Sequence, residues 1–397
     1  MSTPHRQPDG RLILWGGIAT FMIVMGIGRF VYTPILPDMI ASGLLDVKSA
    51  GLLASSNFLG YFVGALLAAL FRRATIRRQA LIASLVLSVL STALMGVTQS
   101  VPLWHFLRFA SGVVSALALV FITGFVMEAF AARNRAHWIG WVFGGVGLGI
   151  AASSIVIELL QKAGVNWDGQ WLAAGGLAAL LAVPALATAL SLRPVDVVPA
   201  DGAAAPPRAR LFTVGFSLLF VAYGGLGFGY VVQATYLPTL VRALPPLAGF
   251  STLTWLVVGL AAAPSNLAWQ LAGQRMGVVR ALILAFLLQS GGLLVPVLWH
   301  SVAGAMIGAV ALGATLIGIT SLCLQQTRLM AGEQLARAIA LMTASFGLGQ
   351  IVGPPLAALL VGPGNDFLPP TIMASSVLAL SALLLVPLLR KPRGGAS

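Results

Sequence analysis

Apolar runs with almost no charge, each long enough to cross a bilayer, follow one another along almost the whole chain. A spanning helix needs about 20 mostly apolar residues, and in lipid the helix must satisfy its own backbone hydrogen bonds. Twelve such runs are legible: roughly Leu12–Leu36, Ala50–Phe71, Ala80–Val97, Leu103–Met127, Trp138–Leu160, Trp171–Leu192, Leu211–Leu240, Ser251–Leu271, Ala281–Trp299, Val302–Gln325, Ala338–Val361 and Pro370–Leu389. Only 8% of the 397 residues are charged, where soluble domains carry about 25%. The expected class is an all-α membrane protein of twelve transmembrane helices.

The cations give an orientation. With the N-terminus placed in the cytoplasm and the runs alternating, 18 of the 23 Lys and Arg residues fall on the inner side. Lys48, Lys162 and Arg242 fall on the outer side, and Arg29 and Arg108 lie inside runs. That skew predicts both termini cytoplasmic, in the cell inner membrane. It also accounts for the net charge of +13 without nucleic acid. The apolar N-terminal run contains Arg29 and lacks a clean cleavage site, so it reads as a span and not as a secretory signal. The lone cysteine, Cys323, lies in an apolar run and reads as inert. One long polar connection, residues 193–210, is rich in proline and alanine and separates the sixth and seventh runs. It predicts a cytoplasmic linker between an N-terminal bundle, residues 1–192, and a C-terminal bundle, residues 211–397.

An internal repeat supports two bundles. Shifted by about 201 residues, GIGRFVYTPILP at Gly26–Pro37 meets GFGYVVQATYLP at Gly227–Pro238. RRQALI at Arg77–Ile82 then meets VVRALI at Val278–Ile283, and GLG at Gly147–Gly149 meets GLG at Gly347–Gly349. Parallel repeats of this kind build a midplane site between two halves.

These features resemble the major facilitator superfamily, over the whole chain. Arg108-x-x-x-Gly112 is similar to its fourth-helix motif, and the basic loop Arg72–Arg78, with Arg72 and Arg73 as gating candidates, stands where it carries its loop 2–3 signature. There is a departure: Gly64 is followed four positions later by Ala68 where the family pattern has an acid. GxGRFxYTPxLP in the first run resembles the YbfB/YjiJ-type branch. The resemblance implies two six-helix bundles that rock about a central site, a monomer, and cavity-lining first and fourth helices.

Arg29 and Arg108 are the candidates for chemistry. An intramembrane cation costs at least ~2.5–3.5 kcal/mol and marks function by default. Helical rise puts both guanidiniums in the outer half of the bilayer at comparable height. Two of them at one level would form a site for an anion, most simply a carboxylate. The plainer alternative is that each arginine ties down backbone carbonyls or packs on a neighbouring helix. By the repeat, Tyr230 stands at the position of Arg29 and Ala309 at that of Arg108, so the site would be asymmetric. Tyr32, Asn57, Tyr230, Gln233, Asn266 and Gln270 are the polar candidates around it, with interhelical hydrogen bonds as their plainer role. Gly26, Gly28, Gly112, Gly144, Gly149, Gly349 and Gly353 are candidates for close helix contact or rocking.

No Asp or Glu lies in the middle of a run, which argues against an exporter of lipophilic cations. His5, His105, His137 and His300 make no motif with an acid or thiol, so neither an enzyme, nor a metal, nor a cofactor is expected. The reading is a transporter of a small organic solute, most simply an organic anion, by alternating access. The alternative is efflux of neutral or amphipathic compounds. The expected partners are the solute and the lipid bilayer, with no nucleic acid.

Overall fold

The computed structural model describes residues 9–192 and 211–389. The expected linker at 193–210 lies outside them, as do Arg6, Arg193, Arg208, Arg210, Arg390, Lys391 and Arg393. Twelve helices are long and apolar enough to cross a membrane: Gly10–Ala41, Val47–Ala68, Ala74–Leu94, Val101–Ala131, Ile139–Lys162, Trp167–Ser191, Val214–Arg242, Pro245–Met276, Val278–Leu298, Val302–Ala331, Arg337–Leu360 and Leu368–Leu389. They are called spans 1 to 12 below. Among the described residues the one β feature is an isolated bridge between Gly362 and Asp366. Several spans begin at a side-chain cap: Asp9, Asp46, Thr213 and Ser301 each accept from a backbone N–H of the first turn. At Asp46 that bond, from Ser49, also holds the carboxyl below the usual carboxylate range. Leu70, Leu180, Val183, Leu298 and Leu383 present exposed apolar surface, as helices facing lipid do.

Neighbour relations repeat with a shift of six spans. Span 1 packs on spans 5 and 6, span 2 on span 4, and span 3 on spans 4 and 6. Likewise span 7 packs on spans 11 and 12, span 8 on span 10, and span 9 on spans 10 and 12. Span 5 meets span 8, and its counterpart, span 11, meets span 2. Spans 1 and 7 also touch. An even number of crossings brings Gly10 and Leu389 to one side, here the terminal face; the opposite side is the far face.

Glycine decides how closely these helices approach. In hydrocarbon no hydrophobic force joins helices, so packing at small residues does. A Cβ on Gly26 would sit 2.5 Å from the Cα of Gly149, joining spans 1 and 5. The repeat reproduces this contact: a Cβ on Gly349 would sit 3.0 Å from the carbonyl carbon of Gly227, joining spans 11 and 7. Gly112 lies against the Asn57 carbonyl, Gly353 against Val231 and Phe228, and Gly144 against the Ala263 carbonyl. Gly28 faces Ser88 and its own helix's carbonyls. Gly26→Ala is therefore expected to destabilise the purified protein by about 1–3 kcal/mol, because backbone and not a movable side chain stands in the way. Gly176→Ala, where nothing lies within 4 Å, is its control. Equal thermal unfolding of the two variants in detergent would contradict this.

Trp104, Trp167 and Trp171 lie near span ends, where tryptophan favours the membrane interface, and their side chains are buried in the protein, 0%, 7% and 1% exposed. Trp104 stacks edge-on against Trp167 at 5.4 Å and donates to the Met95 carbonyl at 3.1 Å. Their height was legible, but the helix face was not. Trp15 and Trp299 do face outward. Arg72 and Arg73 are exposed and make no ion pair among the described residues.

Candidate functional site

Span 1 is not one continuous α-helix. It is α-helical over Gly10–Phe21, widens to a π-helix over Met22–Ile27, passes through a turn, and resumes over Tyr32–Ala41. Pro34 and Pro37 have no N–H, so the carbonyls of Phe30 and Thr33 lose their usual donors. Span 7 keeps Pro238 at the place of Pro37 but has Thr235 at the place of Pro34, and it runs unbroken over Val214–Arg242. The break belongs to the first half alone.

A broken helix inside a membrane leaves carbonyls that other groups must satisfy. Span 4 supplies them from one face, at residues 108, 111 and 115. Arg108 donates from Nη1 to the Gly28 carbonyl at 3.0 Å and from Nη2 to the Arg29 carbonyl at 3.1 Å. Ser111 also donates to Gly28 at 3.0 Å, and Ser115 to Val24 at 2.6 Å. Span 8 completes the set, with the Trp255 indole donating to the Phe30 carbonyl at 3.1 Å. Arg108 is 2% exposed, its guanidinium 4.9 Å from the Tyr32 ring centroid. The equal height expected for the two arginines is realised as contact: one arginine holds the other's backbone.

This frees the Arg29 side chain. Arg29 is 4% exposed, and its Nε and Nη2 have no hydrogen-bond partner. Its guanidinium lies over aromatic rings, 4.1 Å from the centroid of Tyr61, 5.1 Å from Phe58 and 5.6 Å from Phe30. Among the described residues no acid pairs with it. Cation–π contacts are worth about 2 kcal/mol when desolvated. A buried donor without a partner costs about 1–3 kcal/mol, more when charged. The rings compensate the charge in part, and the donors on Nε and Nη2 remain without acceptors.

The other half faces this cation with aromatic and amide groups. Phe346 of span 11 stacks between Tyr223 and Tyr230 of span 7, at 4.8 and 5.7 Å, with interplanar angles of 19° and 4°. Gln350 donates to the Tyr230 hydroxyl. Span 11 packs on span 2 here, and a Cβ on Gly347 would sit 2.8 Å from the Phe62 ring, which brings the Phe346 wall beside the Tyr61 wall. Tyr61 and Phe346 keep partial exposure while Arg29 does not.

Between this centre and the far face the halves are tied together. Thr33 donates to the Ala234 carbonyl at 2.7 Å and Ser55 to that of Ile351 at 2.7 Å, two carbonyls left without donors by Pro238 and Pro355. Nearer the far face, Asp38 pairs with Arg242 and accepts from Gln161 at 2.8 Å and Gln170 at 2.7 Å. Thr252 donates to the Gln161 side-chain oxygen Oε1 at 2.6 Å. One carboxylate thus joins spans 1, 5, 6 and 7, and reaches span 8 through Gln161.

The remaining sequence candidates divide. Tyr32 donates to the Ala50 carbonyl at 2.9 Å, and Asn57 to that of Arg108 at 3.0 Å, so both brace the first half. Gln270 donates to Ser321 at 2.8 Å within the second half. Gln233 is 8% exposed with neither amide atom partnered, and it lines a narrow cleft with Tyr236, Pro296 and Thr371. Asn266 is buried with its carbonyl oxygen unpartnered. The sequence reading missed Tyr61, Phe346, Gln350 and the role of Asp38. Tyr61 had a signal, lying four residues after Asn57 on one helix face. The aromatic wall on span 11 had none, because apolar aromatics are ordinary in a span.

Twelve spans with repeated neighbour relations, a broken first span and a buried cation between the halves define a membrane transporter of the major facilitator type, a class that carries small solutes. Residues 21–386 match the family described as "Uncharacterised MFS-type transporter YbfB", and the chain belongs to that family. Its fold is similar to two crystal structures of the nucleoside transporter NupG. One is a point mutant, with a TM-score of 0.72 at 13% identity over 96% of this chain and 100% of that one. The other has a TM-score of 0.67 at 14% identity over 96% and 99%. At such identity the likeness shows the fold. No curated protein matches the chain.

Proposed function

We propose that the protein moves a small organic anion across the inner membrane by alternating access, with Arg29 as the group that binds it. The observation that carries this reading is the Arg29 guanidinium: buried at the seam of the two halves, unpaired with any acid among the described residues, and holding two nitrogens, Nε and Nη2, without acceptors. A carboxylate would supply the missing acceptors in bidentate geometry. Arg108 acts as a positioning residue, because its terminal donors hold the backbone on either side of Arg29. Residues 1–192 and 211–397 would rock as two bodies joined by 193–210. The cation skew supports placing the terminal face in the cytoplasm. The far face, closed here by Asp38, would then be the outer gate. A monomer suffices for this site, since both walls come from one chain.

A thermal-stability screen of the purified protein tests the reading, against small carboxylates, lipophilic cations and neutral aromatics. A ligand present at 100 times its dissociation constant stabilises by about 2.7 kcal/mol. Stabilisation by carboxylates supports the anion site; stabilisation by cations or neutral compounds alone sinks it.

The gate gives a separate prediction. Asp38→Asn removes the charge that Arg242 faces, and Arg242 is 38% exposed, so solvent screens much of the pair. Partly exposed pairs contribute up to ~1 kcal/mol, so the far face should open only a few-fold more often. A cysteine at the buried Thr239 position should be labelled a few-fold faster by an impermeant maleimide in Asp38→Asn than in the parent. An unchanged rate would remove Asp38 from the gate.

A further inference from the structure

We propose that the ligand is a monocarboxylate with a flat apolar body, an inference that rests on the anion reading above and narrows it. The first ground is the charge inventory. Among the described residues Arg29 is the buried cation with both a terminal nitrogen and Nε free, whereas Arg108 has only Nε free, its two terminal nitrogens being held by Gly28 and Arg29. A second carboxylate on the ligand would be desolvated without a partner, and an unpaired buried charge is among the costliest groups in a protein. An ammonium on the ligand meets the same problem with the opposite sign. The acid nearest in span 1 is Asp38, nine residues on, already held by Arg242, Gln161 and Gln170.

The second ground is the character of the walls. The guanidinium stands among Phe30, Phe58 and Tyr61, and across the seam lie Phe346 and Tyr230. Rings offer area and edge-to-face or offset contacts to a flat apolar body and little to a polyol. Tyr61 and Phe346 are the members with residual exposure, so a ligand body would enter between them while its carboxylate reaches Arg29 behind. Phe346 is held flat by Tyr223 and Tyr230 on its two faces, which presents its edge.

The probes are benzoate, phenylacetate and naphthoate as monocarboxylates, with terephthalate, acetate, phenylalanine and benzamide as controls. Each is titrated by thermal shift on the full-length protein, on Arg29→Met and on Phe346→Leu. The aromatic monocarboxylates should stabilise the wild type, and the dianion terephthalate should bind at least about tenfold more weakly. Phenylalanine and benzamide should not stabilise it. Arg29→Met should abolish the response to every carboxylate, and Phe346→Leu should weaken benzoate more than acetate. If terephthalate or acetate binds as well as benzoate and Arg29→Met abolishes both, the anion site stands and the monocarboxylate inference falls. The inference also falls if Phe346→Leu leaves the preference for benzoate over acetate unchanged. If no carboxylate gives an Arg29-dependent shift, both readings fall together.

Discussion

Arg29→Met should abolish stabilisation by carboxylates while leaving the unliganded protein as stable as the wild type, or more stable. In the free protein this guanidinium is desolvated and two of its nitrogens, Nε and Nη2, have no acceptor, so its removal takes away a penalty. Methionine fills similar space and keeps soft contacts with the rings of Phe58 and Tyr61. With an anion bound the sign reverses. Truncating one partner of a buried, hydrogen-bonded charge pair costs about 2–5 kcal/mol, an affinity loss of between ~30-fold and several thousandfold. Arg29→Lys should recover little, because an ammonium cannot offer the planar fork. The measurement is thermal unfolding in detergent with and without ligand. A variant that loses stability without ligand would make Arg29 a packing residue.

Arg108→Met should do the opposite. Its two terminal nitrogens supply the Gly28 and Arg29 carbonyls at the break in span 1, where the described residues include no replacement for the second of them. Ser111 still reaches Gly28 at 3.0 Å. One or two carbonyls short of a donor in a water-poor interior cost about 1–3 kcal/mol each. The unliganded protein should therefore be less stable by about 2–4 kcal/mol, on the same scale. Affinity should fall as well, because the backbone that carries Arg29 loses its anchor. Arg108→Lys restores charge but not the two-carbonyl geometry and should rescue only part. If Arg108→Met were as stable as the wild type and lost only binding, Arg108 would be a ligand group, and the division of roles between the two arginines would be wrong.

Those two experiments bear on what was legible in the chain. The spans were, because lipid enforces a length and a polarity on every crossing helix, and both are local properties. So was the duplication: Gly26 with Gly149, and Gly227 with Gly349, make equivalent contacts about 200 residues apart. The two buried arginines were visible as charges out of place. Their roles were not. A helical rise puts Arg108 at the height of Arg29, but height does not tell whether a guanidinium points at a ligand or at a carbonyl. That depends on the π-helix and turn between Met22 and Val31, which open carbonyls toward span 4. Pro34 was the clue, since Thr235 replaces it in the unbroken span 7.

Periodicity places a residue on its own helix, and the sequence by itself therefore determined the number of crossings, the repeat and the identity of the buried charges. Which face of each helix meets which neighbour is set by rotation and tilt, and these follow from contacts among residues far apart in the chain. Trp104, Trp167 and Trp171 turn inward for that reason, and Phe346 comes to stack on Tyr223 and Tyr230 for the same one. Only the tertiary structure decided that one arginine turns both terminal nitrogens to backbone carbonyls and the other is left with a terminal nitrogen to offer, because hydrogen-bond satisfaction belongs to the whole set of neighbours and not to any one segment.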